Sequence, residues 1–109
     1  HINVVGSSRA GPAEIANDLV VASRFIADYR PGVLAQGAEF LNAKAAGVVD
    51  DAHVVGEIGE VFDGTLDGRT GDNEITIYKS LGHIVQDLAA GWHVFEQAKK
   101  QGLGTTAAF

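Results

Sequence analysis

Short apolar runs alternate along the chain with longer segments that have the features of helices. Three runs are typical of buried strands: residues 1–5, 25–27 and 74–78. Four segments predict helices: residues 13–22, 33–46, 57–62 and 82–100. Residues 48–55 are irregular or form a very short strand. Because strands separated by helices require crossover connections, this order favours an α/β fold with a mostly parallel, doubly wound sheet.

Glycine and proline residues mark where these elements begin and end. Gly47 and Gly102 each follow a predicted helix and act as stop signals. Pro12 suits the first turn of the helix over 13–22, because proline there loses no helical hydrogen bond. Residues 29–32 (Tyr-Arg-Pro-Gly) are expected to continue neither the strand nor the helix beside them. Gly37 is a weak point within the helix predicted over 33–46.

Two loops follow strands in this arrangement and are the expected places for a ligand. In open parallel sheets, ligands bind outside the carboxyl ends of the strands, which selects residues 6–12 and 79–82. Residues 6–11 have the glycine spacing of a phosphate loop, but Pro12 and Ala13 replace the lysine and hydroxyl residue that such a loop needs. The first loop therefore either contacts another ligand or is a turn capped by Ser7 or Ser8, and composition alone favours the capped turn.

The remaining candidates for chemistry have structural interpretations. The four histidines lack the spacing of metal ligands, so no metal site is expected. Glu57 and Glu60 lie in the first turn of a helix, where acids ordinarily interact with the helix dipole. Trp92 and Phe95 have helical spacing, which indicates packing in a core or in the seam between subunits.

Composition limits the classes of function. The chain has 109 residues, 46% of them apolar and 20% charged, with a formal net charge of −6. That balance predicts a packed core and argues against nucleic-acid binding. The absence of cysteine excludes thiolate metal sites and disulfides and favours the cytoplasm. No apolar run is long enough to cross a membrane and no leader is recognised. The chain starts at His1 and contains no methionine, so we expect it to be a fragment.

Three segments, in this order, resemble the ornithine cyclodeaminase and mu-crystallin family: HINVVGSSR, GEIGEVFDGTLDGRT and EITIYKSLGHIVQDLAA. The similarity extends over essentially the whole chain and corresponds to the C-terminal part of family members. It implies an oxidoreductase that uses NAD or NADP and forms a homodimer. Residues 1–81 would be the C-terminal half of the Rossmann domain. Residues 82–109 would be a helix and tail that return to a domain for dimerisation and substrate binding.

The resemblance also assigns roles to residues in the two loops. Cofactor contacts fall on five positions: Val5, Gly6, Ser7, Ser8 and Ser80. Arg9 and Leu81 are expected to contact the substrate, Arg9 through the substrate carboxylate. Ser8 is the candidate catalytic residue, because its hydroxyl would hydrogen-bond the nicotinamide amide or the substrate.

Two positions depart from the pattern of ornithine cyclodeaminases, which have an aspartate where this chain has Ser8 and a lysine where it has Pro12. A serine hydroxyl is too weakly acidic to act unaided as a general base at neutral pH. Ser8 followed by Arg9 is instead similar to mu-crystallin and to bacterial ketimine reductases. We therefore expect a reductase of cyclic imino acids such as pyrroline-2-carboxylate, or a related amino-acid dehydrogenase. Ornithine cyclodeaminase and a non-catalytic, NADPH-dependent binder of small molecules are the alternatives.

Overall fold

The computed structural model describes residues 1–108, which form strands and helices in alternation. The strands are β1 (Ile2–Val4), β2 (Ser23–Ala27), β3 (Val54–Glu57) and β4 (Ile75–Lys79). The α-helices are α1 (Asn17–Val21), α2 (Arg30–Gln36), α3 (Ala38–Ala45), α4 (Ile58–Asp63) and α5 (Ile84–Gln101). One turn of 3-10 helix over Asp51–His53 leads into β3. The α/β class predicted from the sequence is confirmed.

The strands form one parallel sheet in the order β1-β4-β2-β3. Val4 pairs with Lys79, and Ala27 pairs with both Lys79 and Glu57. All four strands therefore end at the same level, and the residues that follow them lie along one edge of the sheet. This is the edge at which open parallel sheets place their ligands.

Helices α1, α2 and α3 cover one face of the sheet and form the core with it. The strands contribute five residues to this core: Val4, Phe25, Ala27, Val54 and Ile77. The helices contribute four: Val20, Val33, Phe40 and Ala43. Full burial of a large apolar side chain contributes roughly 1.5–3 kcal/mol, so this face holds the sheet edge in a fixed position.

The prediction of a helix over 13–22 is wrong in its first half, because α1 begins only at Asn17. Residues 12–16 remain a loop, and Pro12 is not in a helix. The physical reason lies in Glu14. Its backbone N–H donates to Glu39 Oε1 at 3.0 Å and its side chain accepts from Gly6 N at 2.6 Å. These contacts draw the segment onto the loop after β1 instead of into a helical turn.

The predicted start of the second helix was also wrong. Residues 29–32 were expected to continue no element, yet α2 begins at Arg30 with Pro31 in its first turn, where a missing N–H costs no hydrogen bond. Gly37 is confirmed as a weak point, since its extended backbone separates α2 from α3. Gly47 and Gly102 are confirmed as stop signals with φ of 72° and 65°.

Two further segments extend or refine the predictions. The irregular segment over 48–55 contains the start of β3, which continues to Glu57. Glu57 precedes α4, and its side chain forms a reciprocal capping box with Glu60. These acids therefore stabilise a helix start, as their first-turn position indicated.

Helix α5 is the longest helix, yet none of its residues is buried. Trp92 and Phe95 are 61% and 54% exposed, and their ring centroids are 5.6 Å apart. Within residues 1–108, Trp92 and Phe95 are therefore not part of a core. That they pack in a seam between subunits stays a prediction. Residues 103–108 form no strand, and Phe109 lies outside the described residues. No helix in the described range combines the length and hydropathy of a membrane span.

Candidate functional site

The two loops selected from the sequence lie side by side at the carboxyl edge of the sheet. Strands β1 and β4 are neighbours, and Ser80 N donates a hydrogen bond to Val4 O at 3.0 Å. The Lys79 ammonium reaches across to the first loop, where it donates to Ser7 O at 2.5 Å and to Ser7 Oγ at 2.7 Å. The prediction that residues 6–8 and 80–81 share one edge is confirmed.

The first loop surrounds a concavity of about 270 Å³, lined by Gly6, Ser7, Ser8, Arg9, Pro12, Ala13 and Glu14. Ser8 and Arg9 are exposed there, whereas Ser7 is buried. A Cβ at Gly6 would lie 2.2 Å from Glu14 Oε1, so a larger residue here would displace the Glu14 side chain. The loop therefore presents one hydroxyl and one guanidinium group to the space outside the sheet.

A buried ionic cluster lies beneath this loop, and sequence reasoning missed it. Lys79 Nζ is 2.9 Å from Glu39 Oε2, and both side chains are completely buried. Ser7 Oγ donates to Glu39 Oε1 at 2.5 Å. The alternation in β4 indicates that Lys79 is buried. Lys79 comes two residues after buried Ile77, so both side chains lie on the same face of the sheet. No comparable signal marks Glu39, which the sequence places in an ordinary helix.

Opposing effects set the pKa of Glu39. Burial raises the pKa of its carboxyl group, because the interior disfavours charge. Hydrogen bonds from the Ser7 hydroxyl, the Glu14 amide and the Lys79 ammonium lower it, and together they outweigh burial. The pKa of Glu39 therefore lies below its ordinary value, and at neutral pH the residue is the negative partner of Lys79.

The second loop is fixed by a different acid, Asp28, which directly follows β2. Its Oδ2 accepts hydrogen bonds from Leu81 N at 2.7 Å and Gly82 N at 2.9 Å. The Ser80 hydroxyl donates to the same oxygen at 3.2 Å. Gly82 has a φ of 82°, which its lack of a side chain permits. The signal for this role in the sequence is an acid that immediately follows a buried strand.

The residues assigned to the site differ in how exposed they are. Val5, Gly6, Ser8 and Arg9 are exposed at the edge of the sheet. Ser7 and Ser80 are buried, with their hydroxyls engaged by the cluster beneath the first loop and by Asp28. Leu81 is partly buried and packs against the core. Among residues 1–108, no three His, Cys, Asp or Glu side chains are grouped as metal ligands would be.

Curated relatives align with almost the entire chain. It is 33% identical to the alanine dehydrogenase of Archaeoglobus fulgidus over 100% of its own length and 34% of that protein. It is 37% identical to the iminosuccinate reductase of Paracoccus denitrificans over 94% of its own length and 31% of that protein. The chain thus spans about a third of the length of these relatives.

A solved structure agrees with the fold described above. The Delta(1)-pyrroline-2-carboxylate reductase of Thermococcus litoralis, in complex with NADH and L-proline, superposes with a TM-score of 0.87 and 31% sequence identity. The match covers 98% of this chain and 33% of that one. Residues 1–102 also match the sequence pattern of the Ornithine cyclodeaminase/mu-crystallin family. The chain belongs to the Ornithine cyclodeaminase/mu-crystallin family.

Proposed function

We propose that the protein containing this chain is an NAD(P)H-dependent oxidoreductase. Its expected substrates are cyclic ketimines such as pyrroline-2-carboxylate or piperideine-2-carboxylate, with the substrates of a related amino-acid dehydrogenase as the wider class. The proposal rests chiefly on the exposed pair Ser8 and Arg9, which is held on an anchored loop at the carboxyl edge of the sheet. The relatives support it, because their names denote reductases or dehydrogenases of imino or amino acids.

The chemistry of the first loop fits the nicotinamide end of a dinucleotide. Its concavity offers the backbone at Gly6 and the Ser8 hydroxyl to a planar ring that carries an amide, and Val5 is exposed beside it. Ser7 would contribute through its backbone, since its hydroxyl is engaged in the interior. In this proposal the cofactor supplies the hydride. The chain's own residues hold the ring and exclude water from one side of it.

Ser8 and Arg9 have separate roles in the proposed reaction. The Ser8 hydroxyl hydrogen-bonds the nicotinamide amide or the substrate, and the Arg9 guanidinium binds the substrate carboxylate with two parallel hydrogen bonds. Leu81 and the loop fixed by Asp28 form the opposite wall of the site. A substrate that is already an imine needs only hydride and one proton. The lack of a carboxylate at position 8 is therefore compatible with this chemistry.

We further propose that the intact protein is a homodimer. Helix α5 carries exposed apolar side chains at helical spacing: Ile84, Val85, Leu88, Trp92 and Phe95. Such a stripe is typical of a helix that another surface covers. A relative described as an archaeal alanine dehydrogenase dimer with bound NAD is consistent with this arrangement.

The function is tested by following NADPH and NADH oxidation by the intact polypeptide with pyrroline-2-carboxylate and with piperideine-2-carboxylate. Turnover with either imine supports the proposal. Ammonia release from ornithine, without imine reduction, would instead identify an ornithine cyclodeaminase. Cofactor-dependent binding of a small molecule without oxidation of NADPH would identify a non-catalytic binder.

A further inference from the structure

We propose that Lys79 and Glu39 are positioning residues, which act through Ser7 to set the loop that carries Ser8 and Arg9. This inference rests on the proposed function, because it concerns the site at which the cofactor and substrate would meet. Neither residue lines the concavity, and both are completely buried. Their effect would therefore reach the ligand only through the loop.

Ser7 is held through both its backbone and its side chain. Lys79 Nζ donates to the Ser7 carbonyl at 2.5 Å and to the Ser7 hydroxyl at 2.7 Å. The hydroxyl in turn donates to Glu39 Oε1 at 2.5 Å. With the carbonyl and the hydroxyl both fixed, the peptide that leads into Ser8 has one orientation.

The same cluster reaches the far end of the loop. Glu39 Oε1 also accepts from Glu14 N at 3.0 Å, and Glu14 Oε2 accepts from Gly6 N at 2.6 Å. Residues 6, 7 and 14 are thereby tied together, while 8–13 remain exposed. Because residues 5–16 include no helix or strand, these polar contacts take the place of secondary structure. The loop is fixed at its base and open at its tip.

The chemistry of the cluster favours a role in geometry over a role in stability. Removing two charges from water is costly, and a buried ion pair often adds little net stability compared with apolar residues of similar volume. A buried polar network does, however, select one arrangement of the groups that it joins. The arrangement selected here is the one that presents Ser8 and Arg9.

The test compares the intact wild-type polypeptide with the double variant Lys79→Met/Glu39→Gln, which removes both charges and leaves neither buried alone. Thr76→Val is the matched control. Thr76 is buried in the same strand but bonds the side chains of His1 and Arg69, away from the loop. Each protein is measured for thermal unfolding, amide hydrogen exchange over 8–14, NADH dissociation constant, and KM and kcat with pyrroline-2-carboxylate.

In the double variant we expect exchange over 8–14 to accelerate, and the NADH dissociation constant to rise about tenfold, the size of about one lost hydrogen bond. The control is expected to lower the melting temperature without either change. Glu39→Gln alone keeps an oxygen that can accept from Ser7 and Glu14 N, so it should retain more loop protection than Glu39→Met.

Two results would overturn the inference. One is a double variant whose loop exchange and NADH affinity match those of wild type. The other is a loss of NADH affinity in Thr76→Val that equals the loss in the double variant. That result would mean that general destabilisation, and not the position of the loop, lowers the affinity. Failure of wild type itself to bind either NADH or NADPH would contradict the proposed function instead. The exchange data would then still decide whether the pair holds the loop.

Discussion

The carboxyl edge of the sheet and helix α5 are built in opposite ways. At the edge, the loops after β1 and β4 are fixed by contacts within this chain, through Glu39 and Lys79 in one case and Asp28 in the other. Helix α5 has no buried residue and displays a stripe of apolar side chains. The local geometry of the candidate site is therefore encoded in these residues, whereas the environment of α5 depends on surfaces that the described residues do not supply.

The largest effect is expected when one member of the buried pair is removed. Lys79→Met leaves the Glu39 carboxylate buried without its cation, which should lower the free energy of unfolding by about 3–5 kcal/mol. Lys44→Met is the matched control, because Lys44 pairs with Asp51 at the surface and should cost at most about 1 kcal/mol. Urea denaturation of the intact polypeptide measures both. Equal losses would contradict the distinction between an anchored edge and an ordinary surface.

Loss of the exposed cation in the first loop should have the next largest effect. Arg9→Ala would remove the hydrogen bonds that we propose to the substrate carboxylate, and hydrogen bonds to a charged group are typically worth about 1.5–3 kcal/mol each. The expected result is a KM for the imino acid that rises more than tenfold, with a melting temperature close to that of wild type. Steady-state kinetics and thermal unfolding separate these quantities. An unchanged KM would remove Arg9 from the substrate site.

Matched isoleucines compare the core with α5 directly. Ile77 is completely buried and Ile84 is 79% exposed. Ile77→Val should lower the free energy of unfolding by about 0.5–1.5 kcal/mol, whereas Ile84→Val in the isolated chain should change it by less than about 0.5 kcal/mol. In the intact protein, a larger cost at Ile84 that also depends on protein concentration would indicate that a second subunit covers this helix.

Ser8→Ala should have a modest effect on catalysis. One neutral hydrogen bond contributes only about 0.5–1.5 kcal/mol, so the rate of imine reduction should fall by roughly twofold to tenfold. The structure of the loop should persist, because its anchor is Ser7. Complete loss of turnover with intact NADH binding would mean that Ser8 is an essential proton donor. That result would contradict its supporting role.

The smallest effect concerns acid stability, which depends on the pKa of the single carboxyl group of Glu39. Its pKa in the folded chain lies below the ordinary 4.5, so the folded state favours the ionised form. The resulting stabilisation is present above about pH 4.5 and decreases as the pH falls towards the folded pKa. The variant Lys79→Met/Glu39→Gln should lose this part of the pH dependence. Unfolding curves from pH 3 to pH 6 provide the measurement.

Local sequence patterns were sufficient to predict much of the fold. The alternation over 74–78 and the apolar run over 25–27 located two central strands, and Gly102 marked the end of α5. The start of α1 was misplaced, because the contacts of Glu14 with Gly6 and Glu39 override helical propensity. Such contacts join residues 8 and 25 positions apart, and no local pattern contains them.

For the candidate site, the sequence indicated the position of the two loops but not the residues that hold them. The rule for parallel sheets selected both loops, which do lie at the carboxyl edge, and Ser8 and Arg9 line the concavity of the first loop. The charged residues that hold the loops were missed, because charge in a sequence ordinarily indicates exposure. Lys79 and Asp28 acquire their partners only when β4 is inserted between β1 and β2. Their roles depend on strand order, which periodicity does not reveal.

The strand order also has a consequence for how this chain folds. Strands β1 and β2 do not pair with each other, since each pairs with β4, which comes last along the chain. Strands β1 and β2 therefore cannot join one sheet on the ribosome until residue 79 has left the exit tunnel. Long-range parallel pairing of this kind is slow, because the chain must close large loops before any contact compensates for the lost entropy. The ligand-facing edge is thus completed at the end of folding, and nascent chains that stop short of β4 would leave β1 and one edge of β2 without their partner.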